Sequence, residues 1–151
     1  MFDNKNVATL NSLIATTLDS VDGYRKAAEE TNAGQFREIF LSRANERQAV
    51  VADFQAKVRE LGGEPEDDGT VLASAHRAFL GLRDKLTGDR DDEAVVAEVE
   101  RGEDHIKLKF ENALADENLD AAVRQLIETS YVSVREGHDQ MSALKHQLDA
   151  S

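Results

Sequence analysis

Residues 62–92 read GGEPEDDGTVLASAHRAFLGLRDKLTGDRDD, and the distance this stretch can travel decides how the chain is threaded. It opens on a glycine pair and runs into an acidic turn containing Pro65, the single proline of the chain. From about Val71 to Leu86 the pattern turns helical, with Leu72, Phe79, Leu82 and Leu86 on one side. TGDRDD (87–92) then interrupts the pattern. A helix of that length carries the chain roughly 25 Å, enough to cross from one end of a helical bundle to the other.

Long amphipathic segments flank it on both sides. Before it, a helix is expected over about Asn6–Thr31, with Val7, Leu10, Ile14, Val21, Tyr24 and Ala28 on one face. NAG (32–34) ends this helix, with Gly34 suited to a left-handed C-cap. A second helix covers about Gln35–Leu61, burying Phe36, Phe40, Val50, Phe54 and Leu61 and closed by Gly62-Gly63. After the crossing stretch, helices are expected over about Glu93–Ala115 and Ala121–Leu148. The last of these buries Val123, Ile127, Val134, Met141, Leu144 and Leu148.

At 1.5 Å per residue the four long helices measure roughly 35–42 Å each, so they can lie side by side. The first two and the last two are joined by short turns and form antiparallel hairpins. Two hairpins joined by one long crossover make a ferritin-like four-helix bundle. The alternative is a five-helix up-down bundle. The expectation is an all-α chain, one domain over 1–151, with a short extra helix inside the crossover.

Composition narrows the function classes. The chain has 40% hydrophobic and 32% charged residues, the balance of a soluble globular protein. It has no cysteine, which excludes disulfides, thiolate catalysis and zinc ribbons, and it fits a reducing cytoplasm. No apolar run reaches the roughly 18 residues of a membrane span, and the first residues, MFDNKNVATL, lack a secretory signal pattern. With 18 Lys and Arg against 30 Asp and Glu, the net charge is −12. Such a surface repels phosphate backbones and anionic lipids, so neither nucleic acid nor membrane is an expected partner. There is no phosphate-binding glycine loop and no nucleophile elbow. GDRDDE lacks the ligand alternation of a calcium loop.

Several segments together resemble a known family: LNSLI (10–14), GYRKAAEE (23–30), RANER (43–47), LGGEPEDDGT (61–70), AHRAF (75–79) and EVERGED (98–104). Over about Leu10–Leu148 the chain resembles a bacterial family of ferritin-like four-helix-bundle proteins described as a domain of unknown function. The resemblance implies the fold, a bacterial source and a role in stress physiology. It implies no catalytic residue.

One position breaks the apolar pattern. In VAEVERGEDHIKLKF (96–110), the arc of Val96, Val99, Ile106 and Phe110 has Glu103 near its middle. Di-iron proteins of the ferritin-like fold take a glutamate from each of two helices and Glu-x-x-His from each of the other two. Against that set, Glu103 is well placed. His138 shares a direction with the core of the last helix, but Arg135 stands three residues before it. Glu46 lies at the edge of its helix face, while Arg47 and Arg43 lie near the middle. The first helix offers no acid on its apolar stripe.

A buried carboxylate without a partner is costly, and two partners are open to Glu103. One is a metal, iron or another divalent ion, shared with His138 and Glu46. The other is the guanidinium of Arg47 or Arg43, within a polar core network that includes Arg43, Arg47, Glu103, His138 and Tyr24. The arginines make the second the simpler answer, with no cofactor required. Gly102 and Gly137 sit inside helices beside these groups, where a missing side chain allows a close approach or room for a larger neighbour. His76 reads as a packing residue, and His105 and His146 as surface. The functional expectation is a non-catalytic, stress-associated bundle protein. The alternatives are an atypical iron-binding or iron-oxidising protein and an acidic module that dimerises or binds a protein partner.

Overall fold

The computed structural model describes residues 4–69 and 91–149. The helix expected over about Val71–Leu86, and with it His76, lies outside these residues. The described chain forms four α-helices: α1 (Asn4–Glu30), α2 (Gly34–Glu60), α3 (Asp92–Leu114) and α4 (Ala121–Asp149). Each begins and ends within two residues of the span its apolar period suggests. Among the described residues there are no strands, and no helix is long and apolar enough to cross a membrane.

The ends of the helices fix the threading. Lys5 near the start of α1 pairs with Asp116 after α3 at 3.2 Å. At the other end, Thr31 Oγ1 donates to the Asp92 carboxylate at 2.8 Å. So α1 and α3 are antiparallel. The Asn11 side chain donates to the Glu64 carbonyl at 2.9 Å and accepts from the Glu66 amide at 2.8 Å, which sets the end of α2 beside the start of α1. Hence α2 and α3 run parallel, on opposite corners of the bundle, and the chain between them must cross its full length. The first part of that crossing climbs α1 from Asn11 to Asp19, against which Gly69 is packed so closely that a Cβ there would sit 2.3 Å from Asp19 Oδ1.

The two glycine-marked turns differ. After α2, Gly62 takes a positive φ of 86°, its amide donates to the Arg59 carbonyl at 3.0 Å, and the Gly63 amide donates to Val58 at 2.9 Å. These bonds form a Schellman motif, in which glycine avoids the Cβ clash of the left-handed conformation. Gly34, by contrast, is not left-handed; it is the first residue of α2. The expected C-cap at Gly34 is therefore wrong, because the α1–α2 turn is closed from outside. The Asp92 carboxylate accepts from Thr31 Oγ1, from the Asn32 amide at 2.8 Å and from the Ala33 amide at 3.1 Å.

The core divides into two apolar clusters along the bundle axis. One, toward the start of α1, gathers Leu10, Ile14, Val51, Phe54, Val58, Ile106, Phe110, Val123 and Ile127, with Phe54 and Phe110 rings 5.9 Å apart. The other gathers Val21, Tyr24, Ala28, Phe36, Phe40, Val96 and Met141, with Tyr24 and Phe40 rings 6.1 Å apart. On every helix the boundary falls at the same level, between Ile14 and Val21, Ala44 and Val50, Val96 and Ile106, and Val134 and Met141. That boundary is polar.

Candidate functional site: a charged layer across the bundle core

Arg47 on α2 and Glu103 on α3 meet at the boundary, across the diagonal of the bundle. Arg47 Nη1 donates to Glu103 Oε1 at 2.8 Å and Nη2 to Oε2 at 2.7 Å. The side chains are 0% and 2% exposed. This fork-to-fork geometry is the strongest that a carboxylate and a guanidinium can adopt. Nη1 also donates to Ser20 Oγ at 2.7 Å. The guanidinium carbon lies 5.6 Å from the centre of the Tyr24 ring, within cation–π range.

The fourth helix contributes by absence. A Cβ on Gly137 would lie 2.4 Å from Arg47 Nη2 and 3.0 Å from Glu103 Oε2. Only a residue without a side chain leaves room there for the ion pair. Gly102 is different, since a Cβ there would meet nothing within 4 Å. The expectation that both glycines make room holds for Gly137 and fails for Gly102, whose position on α3 faces solvent.

Electrostatics follow from this burial. Desolvation pulls the Arg47 guanidinium toward losing its proton, but hydrogen bonding and charge from Glu103 outweigh it, and its pKa is raised. Burial, followed by the Glu103 charge, pushes the Tyr24 phenol well above the usual tyrosine range. Tyr24 Oη and Arg47 Nε have no hydrogen-bond partner among the described residues. Both shifts run the same way, holding the proton on the Arg47 guanidinium and on the Tyr24 phenol.

The other singled-out residues sit on the rim. Arg43 Nε donates to Gln140 Oε1 at 2.8 Å and its Nη1 to Glu46 Oε1 at 2.9 Å. Glu46 also accepts from Ser133 Oγ, so Arg43 and Glu46 tie α2 to α4 rather than reaching Glu103. His138 Nε2 lies 2.7 Å from Asp104 Oδ1 and its Nδ1 3.2 Å from Asp139 Oδ1. Burial lowers the His138 pKa, the bonds to Asp139 and Asp104 raise it, and the rise prevails. His105 and His146 are exposed.

Glu46, Glu103 and His138 thus bind three different sets of partners and do not converge. Among the described residues, the acidic group close enough to share a cation is Glu66, Asp67 and Asp68, on the loop after α2. At the level of the ion pair, α1 offers Ser20 and Tyr24, α2 an arginine, α3 one glutamate and α4 a glycine. That donor set does not fit a di-iron centre of this fold, which takes a carboxylate from each of the four helices and an imidazole from two of them. Ser20 had no signal in the sequence, because a hydroxyl beside a helical stripe has no fixed place in an apolar period.

This architecture can be set beside known proteins. The model of a family described as a domain of unknown function, DUF2383, matches residues 5–116. The chain belongs to that family. Comparison with curated proteins gives no match. Among solved structures, the chain is similar to Dps from Thermosynechococcus elongatus, with a TM-score of 0.71 and 16% identity over 93% of this chain and 89% of that one. It is also similar to a structure from Bacillus anthracis str. Ames titled as ferritin-like, diiron-carboxylate proteins, with a TM-score of 0.61 and 13% identity over 97% and 94%. At these identities the likeness shows the fold: a ferritin-like four-helix bundle.

Proposed function

We propose that this family member, acting as one domain over residues 1–151, is a non-catalytic ferritin-like bundle protein with a guanidinium–carboxylate pair where metal-bearing relatives of the fold hold iron. The observation that carries this reading is the bidentate Arg47–Glu103 pair, sealed from solvent and seated on Gly137. Arg47 already supplies the cation that Glu103 requires. A metal at Glu103 would have to displace a fixed positive charge and leave it buried without an acceptor. The pair gives the core a directional contact that sets the register of α2 against α3, and the absence of cysteine suits a cytoplasmic protein. Its partners on this reading are a second copy of itself or another protein, and its role is in stress physiology, as the family resemblance implies.

A second reading, iron binding or oxidation through Glu103, Glu46 and His138, draws on the fold it shares with the Bacillus anthracis structure. Elemental analysis and thermal melts of the purified protein, with chelator and with ferrous iron, separate the two. The expected result is no stoichiometric iron and a melting temperature indifferent to it. Iron-dependent stabilisation that disappears in both Glu103→Ala and His138→Ala would overturn the proposal.

A further inference from the structure

Arg47 is held by features that would recognise its head group even without its stem. Glu103 offers both oxygens to the flat edge of the guanidinium. Ser20 Oγ takes a further N–H, and the Tyr24 ring faces the cation at 5.6 Å. Gly137 leaves a slot so narrow that one added carbon would stand 2.4 Å from Nη2. Every element favours a planar, weakly hydrated cation with several donors over a compact ion. A divalent metal would find one carboxylate and two hydroxyl groups, too few hard oxygen ligands for a dry site.

We infer that the mid-bundle layer is a binding socket for the guanidinium ion or a similar small amidine cation, which the chain fills with its own Arg47. The inference deepens the metal-free reading and rests on it. Removing the Arg47 side chain beyond Cβ takes away both hydrogen bonds to the Glu103 carboxylate and opens a guanidinium-shaped space beside it, which a free guanidinium ion can fill. Ammonium and sodium lack the fork, and both hold their water more tightly.

The test uses full-length Arg47→Ala, chosen because alanine keeps helix α2. Its melting temperature is followed against guanidinium chloride at concentrations far below those that denature, with sodium chloride at matched ionic strength as the control. The expected result is a melting temperature that rises and saturates with guanidinium. In the wild type and in Arg47→Ala/Glu103→Ala, the same additions should only lower it. If Arg47→Ala is unfolded in plain buffer, the same titration is read as recovery of helical circular dichroism. Absence of any rise or recovery overturns the inference, as does an equal effect of sodium chloride. A ferrous-iron arm separates the two claims. Iron rescue of Arg47→Ala without guanidinium rescue sinks the socket, whereas iron stabilisation of the wild type sinks the metal-free reading itself.

Discussion

Glu103 and Asp104 are consecutive on α3, and Gly137 and His138 are consecutive on α4, yet each pair of neighbours builds two different ionic contacts. Inside the bundle, Glu103 grips Arg47 over the bare backbone of Gly137, with both side chains essentially inaccessible. One step around each helix, Asp104 meets His138 at 2.7 Å with the acid 62% exposed. The geometry of the outer contact is good as well. Solvent makes the difference, because water competes for the outer ions and cannot reach the inner ones. The inner contact therefore defines the core, while the outer one only trims it.

The sharpest way to break this comparison is to delete the two acids separately. Glu103→Ala leaves the Arg47 guanidinium buried without an acceptor, at a cost on the order of 3–5 kcal/mol. Asp104→Ala should cost less than about 1 kcal/mol. Urea unfolding of both variants checks the contrast, and equal midpoints would refute it. Glu103→Gln should fall between them, since the amide keeps one acceptor and nearly the same volume.

The glycines give the next largest effect, with opposite signs for one substitution. Gly137→Ala drives a methyl group into Arg47 Nη2. Even after about 1 kcal/mol of helix propensity is regained, a net loss on the order of 2–4 kcal/mol is expected. Gly102→Ala meets open space and should stabilise by up to about 1 kcal/mol. Thermal melts of the two variants should move in opposite directions.

The smallest effect is the pH response of the outer contact. The folded-state pKa of His138 is raised, so its stabilisation is fully present below the unfolded pKa of about 6.5 and is lost as pH rises through the higher folded value. Wild type should lose less than about 1 kcal/mol of stability relative to His138→Gln across that window. Parallel stability–pH curves for the two proteins would show that the contact contributes nothing.

The same contrast explains what could be read from the sequence. Helix spans and the crossover were legible because apolar periodicity and segment length are properties of the chain alone. The 100° arc put Glu103 among Val96, Ile106 and Phe110, and all four are buried. The choice between Arg43 and Arg47 as its neighbour could not be read, since both lie toward the interior of α2. That choice depends on which one points along the bundle diagonal. Period alone directs His138 inward, but it turns to the rim where Asp104 and Asp139 compete for it. Leu61, Val99, Leu144 and Leu148 are only half-buried, for the period states a direction and not how much protein lies in it. Gly34 misled because the bonds that close its turn come from a residue 59 to 61 positions away.

That remote closure bears on how the chain acquires its shape as it is made. Ala33, at the head of α2, has no side-chain cap of its own, and the amides of the turn wait for the carboxylate of Asp92. A ribosome releases α1 and α2 well before that carboxylate, so the first hairpin spends its early life with a frayed corner. Its completion requires closing a loop of about 60 residues, a slow and entropically costly step compared with pairing neighbouring helices. The turn of the first hairpin is thus completed by the head of α3, so the two hairpins share one corner of the bundle.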